Sequence, residues 1–413
     1  MRGWAQDGVA DVTNAGDTAW VLAASLLALL AALPGIALFH AGRSEAKNVL
    51  SVLSQTGAIA AAVSLAWIVS GYTIAFGDVG NGWFGNGNAW MLITLGNVRV
   101  FTEIPESAFA FHQIVFAVLA AAVLAGAWAD RARFGFAVVA ASFWSLAVLA
   151  PVSHWVRGGG WIYQAIGAVD HGGGLSVLVP VGISALVFAA ILGRPRTDVV
   201  SEGLPFSSAV ALAGSCLFWI GMLALSGAAA FIANDDAASA IISSHAAGCA
   251  GGLAALAADR LFGGKPTAIG FAQGVVSGLA ASLAGAAYVS PGAAVLFGLL
   301  GAFAGRSATG FVRRRLPIHD SLGVFTTFGM SAAVGTLLVA VFQAGSLGGV
   351  GYDEGMNMIA QLVAQAIALG VIGVWSMVVT AIVAIATSLF FQMRVGEEAE
   401  ADGLDLSSHG EHA

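Results

Sequence analysis

Few side chains of this sequence could do chemistry, and those few are scattered singly through long apolar runs. His112 lies within the apolar run 109–128, and His245 lies within another such run. An imidazole can hydrogen-bond a small solute and relay a proton, whereas a packing histidine bonded to a neighbouring helix is the alternative at both positions. Asp170 and Asp320 each precede an apolar run, where a carboxylate either caps a helix or contacts a ligand. The capping alternative is the stronger one for both aspartates, and most of all for Asp320.

The arrangements that catalysis or cofactor binding requires are missing from the sequence. No group of histidines and cysteines has the spacing of a metal site. The glycine run Gly172-Gly-Gly174 lacks the Lys-Ser/Thr partner of a phosphate-binding loop. No nucleophile has a base at a recognisable spacing. The sequence therefore predicts neither an enzyme nor a metal or cofactor site.

The composition indicates which solvent surrounds these residues. Of the 413 residues, 58% are hydrophobic and 9% are charged, whereas about 25% are charged in an ordinary soluble domain. So few charges could not cover the surface of a soluble fold of this length. The net charge of −7 also excludes the basic surface of a nucleic-acid-binding protein. The chain is therefore predicted to be an all-α polytopic membrane protein.

Apolar runs long enough to cross a hydrocarbon core of about 30 Å occur eleven times. The last of them is longer than one bilayer crossing needs, so it is predicted to tilt or to project past the membrane. The predicted spans are 18–39, 55–76, 109–128, 134–154, 173–193, 207–231, 238–258, 268–289, 292–312, 321–343 and 358–393.

The basic residues predict the orientation. With residues 1–17 outside the cell, the cytoplasmic loops hold all but three of the 16 lysines and arginines, and the exceptions are Arg2, Arg99 and Arg157. Lys and Arg are the residues that set topology. The chain is therefore predicted to lie in the cell (inner) membrane with its N-terminus outside, its C-terminus in the cytoplasm and residues 395–413 as a cytoplasmic tail.

An internal repeat is predicted from the similar placement of Asp170 and Asp320. If each aspartate precedes the fifth span of a half, the halves are 18–193 and 207–343, with the helix 358–393 left over. Because each half has an odd number of spans, the two halves have opposite orientations. Inverted repeats of this kind place a substrate path at the interface between the halves.

A series of motifs extends along nearly the whole chain in a recognisable order, and with them the chain resembles the ammonium transporter (Amt/Mep/Rh) family. The resemblance implies eleven helices, a homotrimer and one narrow pore per subunit. It also implies that ammonium binds at an outer vestibule, loses its proton and crosses as ammonia past two pore histidines. The motifs include Asp17-Thr-Ala-Trp20, Pro34-Gly-Ile-Ala-Leu-Phe39, Lys47-Asn-Val-Leu50, Gly71-Tyr-Thr-Ile-Ala-Phe-Gly77, Ala150-Pro-Val-Ser-His-Trp155, Gly158-Gly-Gly-Trp161 and Gly403-Leu-Asp405.

The chain departs from the family at the pore histidines. The first family histidine lies eight residues after the aspartate of span 5, where this chain has Leu178. The second lies eight residues after the aspartate that opens span 10, where this chain has Phe328. Neither replacement can accept or relay a proton, so the proton relay that the resemblance implies is absent.

The outer vestibule departs from the family as well. The positions of two gate phenylalanines are His112 and Met222, and the position of the vestibule tryptophan is Arg157. An aromatic face attracts ammonium, whereas a guanidinium repels it. Ser226 matches the vestibule serine, and Asp170 matches the buried carboxylate that organises the vestibule.

The tail matches the family at Gly403, Asp405, His409 and Gly410. The resemblance implies a regulatory tail that packs under the trimer and responds to a PII signalling protein. A solvated acidic tail is the alternative.

The other histidines, His40, His154 and His319, are predicted to lie at wet span ends.

Three functions remain open at this point. The first is transport of ammonium or ammonia through an altered pore and vestibule. The second is a non-conducting ammonium sensor or regulatory protein, which the apolar pore positions favour. The third is a channel for another small solute, with Arg157 as the selecting residue.

Overall fold

The computed structural model of the chain describes residues 13–80, 82–196 and 205–412, and the regular secondary structure of this part is helical. Within it, extended backbone pairs only as isolated bridges, such as Ala132 with Arg394. Most of the predicted extracytoplasmic N-terminus, residues 1–12, lies outside the described residues. The predicted all-α membrane fold is confirmed.

Eleven apolar helices account for the predicted spans, and ten of those described are long and apolar enough to cross a membrane. The helices are α1 Ala15–Arg43, α2 Ala46–Phe76, α3 Glu106–Ala127, α4 Phe134–Arg157, α5 Gly174–Leu192, α6 Ser208–Ala228, α7 Asp235–Phe262, α8 Ala268–Ser282, α9 Pro291–Arg315, α10 Phe325–Phe342 and α11 Met358–Ser388.

The eighth helix is shorter than the predicted span 268–289. It ends at Ser282 because the chain then turns, with the Gly285 amide donating to Ser282 and the Tyr288 amide donating to Gly285. Its 15 residues extend for only about 22 Å at 1.5 Å per residue. The hydropathy of the run continues beyond the helix, which explains why the apolar pattern overestimated its length.

Side-chain caps mark where several of these helices begin. Asn14 accepts from the amides of Gly16 and Asp17, and Asn357 accepts from the amides of Ile359 and Ala360. Each cap satisfies amides that have no partner inside the helix. The same arrangement recurs at Ser207, Asn234, Thr267 and Ser290.

Glycines allow the helices to approach closely. Helices α5 and α10 cross at Gly182 and Gly329, where a β-carbon on Gly182 would lie 2.4 Å from the α-carbon of Gly329. Helices α7 and α8 meet in the same way, since a β-carbon on Gly274 would lie 2.4 Å from the carbonyl oxygen of Gly251. Close backbone packing at small residues is the usual way in which membrane helices associate.

A polar network joins three elements at the end of the bundle that was predicted to be cytoplasmic. The fully buried Arg131 donates to Asp130, to Ser321 and to the carbonyl of His319. Burial alone would raise the pKa of Asp130, but Arg131, His319 and Ser321 together hold it below its usual range. The Val395 amide donates to the Arg131 carbonyl over 3.1 Å. The network therefore fixes the chain beyond α11 to the loop between α3 and α4.

Candidate functional site

At the predicted outer mouth, the arginine side chain lies on an aromatic ring. The Cζ atom of Arg157, at the end of α4, is 4.4 Å from the centroid of the Phe116 ring on α3. A cation over a ring face is attracted by the electron density of that face. The Nε atom of Arg157 is buried and has no hydrogen-bond partner among the described residues. The protein's own cation thus occupies an aromatic surface of the kind that could bind an external one.

His112 lies beside the same ring and is fully buried. Its Nδ1 atom shares a hydrogen bond with Ser25 Oγ at 2.8 Å, and its ring packs edge-on to Phe116 at 5.0 Å between centroids. Its Nε2 atom has no partner among the described residues. One nitrogen therefore holds α1 against α3, as in the packing alternative, while the other is left unpartnered.

Phe231, which the sequence analysis did not identify, covers His112. Its ring lies 5.5 Å from His112 and 5.0 Å from Phe109 between centroids. The backbone of Phe231 is left-handed, with φ of 58°, which is unfavourable for an aromatic residue. Strained backbone of this kind persists where the surroundings hold it, often at functional sites. A φ value leaves no pattern in a sequence, so no signal could have identified this residue.

Ser226 and Met222 lie on α6 and are fully buried. Ser226 Oγ accepts a hydrogen bond from Ser244 on α7 at 2.9 Å, and its carbonyl accepts one from His171 Nε2 at 2.8 Å. Burial lowers the pKa of His171, and the hydrogen bond to Ser226 opposes this effect. His171 therefore belongs to the candidate site, although the sequence analysis did not single it out.

Asp170 is buried and acts as a helix cap. Its carboxylate accepts from the Leu175 amide, the Ser176 amide and the Ser176 hydroxyl at 3.2, 2.8 and 2.6 Å. Asp320 does the same at the opposite end of the bundle, where it accepts from the amides of Val324 and Phe325. Burial raises the pKa of Asp320, and these hydrogen bonds oppose the increase. Both carboxylates therefore act as helix caps.

Each capped segment continues as a wide helical turn. Each turn contains one of the two positions where this chain lacks the pore histidine of the family. Leu178 ends the turn Gly174–Leu178, Phe328 lies in the turn Phe325–Met330, and both are fully buried. The Phe328 ring packs against Phe218 of α6 at 5.8 Å between centroids. The family resemblance predicts a pore from Arg157 and His112 past Leu178 and Phe328. We call this predicted line the passage and include Phe218 in it because its ring contacts that of Phe328. The middle of this line would then hold three apolar side chains, those of Leu178, Phe218 and Phe328.

The tail is docked under the bundle rather than solvated. The Asp405 carboxylate accepts from the amides of Leu50 and Ser51 at 3.0 and 2.7 Å and so caps a turn near the start of α2. The Leu404 amide donates to Asn48 Oδ1 at 2.9 Å. Gly403 has a φ of 101°, and a β-carbon there would lie 2.4 Å from Lys47. Only glycine fits this close approach.

The remaining tail residues make further contacts. The His409 ring packs edge-on to Phe134 at 5.4 Å between centroids, and Gly410 ends the Asp405–His409 turn with a φ of 69°. Glu400, which the sequence analysis did not select, pairs with Arg394 through two carboxylate oxygens. The alternative of a solvated tail is therefore wrong.

Replacing Asp405 with alanine should release this tail from α2. The change leaves two helix-start amides without an acceptor, and loss of a cap costs about 1 kcal/mol. We expect rapid proteolysis and hydrogen exchange after Val395 in the variant, with the bundle unchanged. Glu398→Ala, at an exposed residue of the same tail, is the matched control. Equal protection in the two variants would contradict the capping role.

The other histidines differ from expectation in two cases. His40 and His154 are fully buried, so they are not the wet residues that the span ends predicted. His154 Nδ1 bonds the Ala75 carbonyl at 3.0 Å, which explains its burial. His245 is exposed on α7 and stacks on Trp219. His319 is part of the network around Asp130.

Known proteins resemble this chain over nearly its full length. The Ammonium Transporter Family model matches residues 19–413. A putative ammonium transporter of Methanothermobacter thermautotrophicus is 34% identical, with 96% of this chain and 98% of the relative aligned. An ammonium transporter of Bacillus subtilis is 33% identical with the same coverage. The crystal structure of Candida albicans Mep2 superimposes with a TM-score of 0.87 at 26% identity, covering 94% of this chain and 88% of Mep2. The chain belongs to the ammonium transporter family.

Proposed function

We propose that the chain is a transmembrane transporter that carries ammonia, drawn from ammonium, through one passage in each subunit. Membership of the ammonium transporter family supports the solute, and the helical bundle supports a multi-span membrane location. The observation that supports ammonia as the transported form is the apolar middle of the passage, with Leu178, Phe218 and Phe328 fully buried.

The positive charge of ammonium favours transport of the neutral form. An ammonium ion that leaves water for apolar surroundings loses its hydration, and a bare charge in hydrocarbon is very costly. Neutral ammonia carries no such penalty. Because neither Leu178 nor Phe328 can hold a proton, ammonium must release its proton to the external water at the outer mouth. There the Arg157 guanidinium opposes the approach of a second cation.

Assembly, orientation and regulation complete the proposal. We propose a homotrimer in the cell (inner) membrane, with the N-terminus outside and the docked tail in the cytoplasm. The asymmetry of the basic residues supports the orientation. The similar caps at Asp170 and Asp320 support inverted repeats at 18–193 and 207–343, followed by the helix 358–393. The docked tail offers a surface for a PII signalling protein at the cytoplasmic face.

Flux into proteoliposomes tests the proposal. An ammonium pulse should raise the internal pH faster than in protein-free vesicles, because entering ammonia takes up a proton. At fixed total ammonium the rate should rise about tenfold per pH unit while ammonium is the main form, since the neutral fraction rises by that factor. No current should accompany the flux on a supported membrane. A rate equal to that of empty vesicles would contradict transport.

A channel for another small solute is the second candidate, and the position of Arg157 at the mouth favours it. The same vesicles distinguish the two functions. Intact protein that passes no ammonia but shrinks and swells with another small solute would support this candidate instead.

A further inference from the structure

We propose that His40 and Gln55 form a hydrogen-bonding site for ammonia at the cytoplasmic end of the passage. The proposal rests on the proposed function for its ligand, but it concerns residues that neither the family motifs nor the outer mouth involve. It places the polar contacts of the passage at its two ends rather than at its centre.

Buried polar atoms of His40 and Gln55 lack hydrogen-bond partners among the described residues. His40 is fully buried, and neither of its ring nitrogens has a partner among the described residues. The Oε1 atom of Gln55 is also buried and unpartnered, while its Nε2 atom donates to Ser51 Oγ at 3.2 Å. Buried polar groups are normally hydrogen-bonded, so three such atoms together need an explanation.

The two residues that carry these atoms line one small cavity. His40 and Gln55 line it together with Val52, Thr56 and Ala125. Thr56 cannot serve the histidine as a donor, because its hydroxyl donates to the Val52 carbonyl at 2.7 Å. The residues that carry the unsatisfied nitrogens and oxygen therefore line one gap, and its other described walls offer them no free hydrogen-bond donor; the Thr56 hydroxyl oxygen can act only as an acceptor.

The cavity lies beside the inner end of the passage. The His40 ring abuts Gly126, where a β-carbon would lie 2.7 Å from Nε2 and 2.9 Å from a methyl of Val324. Val324 precedes Phe328 by four residues, about one helical turn. His40 thus lies about one turn further toward the cytoplasm than the phenylalanine that fills the middle of the passage.

The chemistry of the site selects a neutral donor. Ammonia has three N–H groups and one lone pair, so it can donate to a ring nitrogen and to Gln55 Oε1 and accept from the other ring N–H. A cation is disfavoured because Arg43 lies one turn below His40 on the same helix and its charge acts on the ring. Among the described residues, no acidic group is one of those that act on His40.

The site is closed in this conformation, with no room for a water-sized molecule. The His40 ring must therefore turn to admit ammonia. Gly126 makes this movement feasible because it places no side chain against the ring. We infer that turning of His40 admits ammonia from the apolar middle and releases it toward the cytoplasm.

Transport by three variants tests the role of the hydrogen bonds. His40→Phe keeps an aromatic ring of similar size without nitrogen. It should lower ammonia flux about tenfold, because the hydrogen bonds that His40 offers to ammonia at the inner end of the passage are lost. His40→Gln keeps a donor and an acceptor and should retain most of the flux. His245→Phe, on the exposed face of α7, is the matched control and should leave flux unchanged. Wild-type flux in folded His40→Phe would overturn the proposal, as would equal losses in His40→Phe and His40→Gln.

A binding measurement separates this site from the proposed function. In protein with isotope-labelled histidine, the ring-nitrogen NMR signals of His40 are those that disappear in His40→Gln. Ammonium chloride at alkaline pH should shift them, whereas sodium chloride should not. Unchanged His40 signals would overturn the site even if the protein transports ammonia. Shifted signals in a protein without flux would support the site and contradict transport.

Discussion

Replacing Arg157 with tryptophan should lower the ammonium concentration that half-saturates transport by about tenfold. Wild-type protein holds a guanidinium 4.4 Å from the Phe116 ring, where it competes with ammonium for the aromatic face and repels it. The substitution removes the competitor and adds an aromatic surface. Cation–π attraction of about 0.5–2 kcal/mol brackets the 1.4 kcal/mol that a tenfold change represents.

The charge of Asp170 limits the size of this effect. Its carboxylate acts on Arg157 and offsets part of the repulsion that the guanidinium exerts. Its oxygens are engaged by Leu175 and Ser176, so its position should not change in the variant. We therefore expect a change near tenfold rather than a hundredfold.

Two further substitutions separate charge from shape at Arg157. Arg157→Lys keeps a cation and should retain the wild-type half-saturation value. Arg157→Gln removes only the charge, so its half-saturation value should lie between those of wild type and the tryptophan variant. All variants should remain electrically silent, because Leu178 and Phe328 still exclude an ion from the middle. Ammonium-dependent flux and current in proteoliposomes measure both properties. A tryptophan variant with an unchanged half-saturation value would show that Arg157 does not control entry.

The sequence could predict the membrane fold because composition and length carry that information directly. Apolar runs and basic loops do not depend on which residues meet across the bundle. The caps at Asp170 and Asp320 could also be anticipated, since a carboxylate before an apolar run is a local signal. Arg157 was found by its departure from a motif rather than by any periodicity.

Other features could not be predicted because they depend on tertiary contacts. His40 was expected to be wet from its place at a span end, yet it is buried where α1 packs on Gly126. In a helix that is apolar on all sides, periodicity does not show which face meets a neighbour. The same limit applies to His171 and to the strained backbone of Phe231.

Replacing Gly329 with alanine should destabilise the bundle by about 1–3 kcal/mol, the usual cost of forcing a group into a packed interior. A β-carbon there would lie 2.6 Å from the α-carbon of Gly182, and backbone cannot yield as a flexible side chain can. Helices α5 and α10 would have to separate at this crossing, which lies four residues after Leu178 and directly after Phe328. We therefore expect a lower apparent Tm in detergent together with a loss of ammonia selectivity, because a wider passage admits water.

Gly57→Ala is the matched control for this prediction. Gly57 is exposed on α2, and no atom of the described part of the chain lies within 4 Å of the place where its β-carbon would be. Alanine is favoured over glycine in a helix by up to about 1 kcal/mol, so this variant should be as stable as wild type or slightly more so. The same chemical change thus has opposite expected signs at the two positions. If Gly329→Ala has the apparent Tm and the ammonia flux of wild type, the crossing of α5 and α10 does not control the passage.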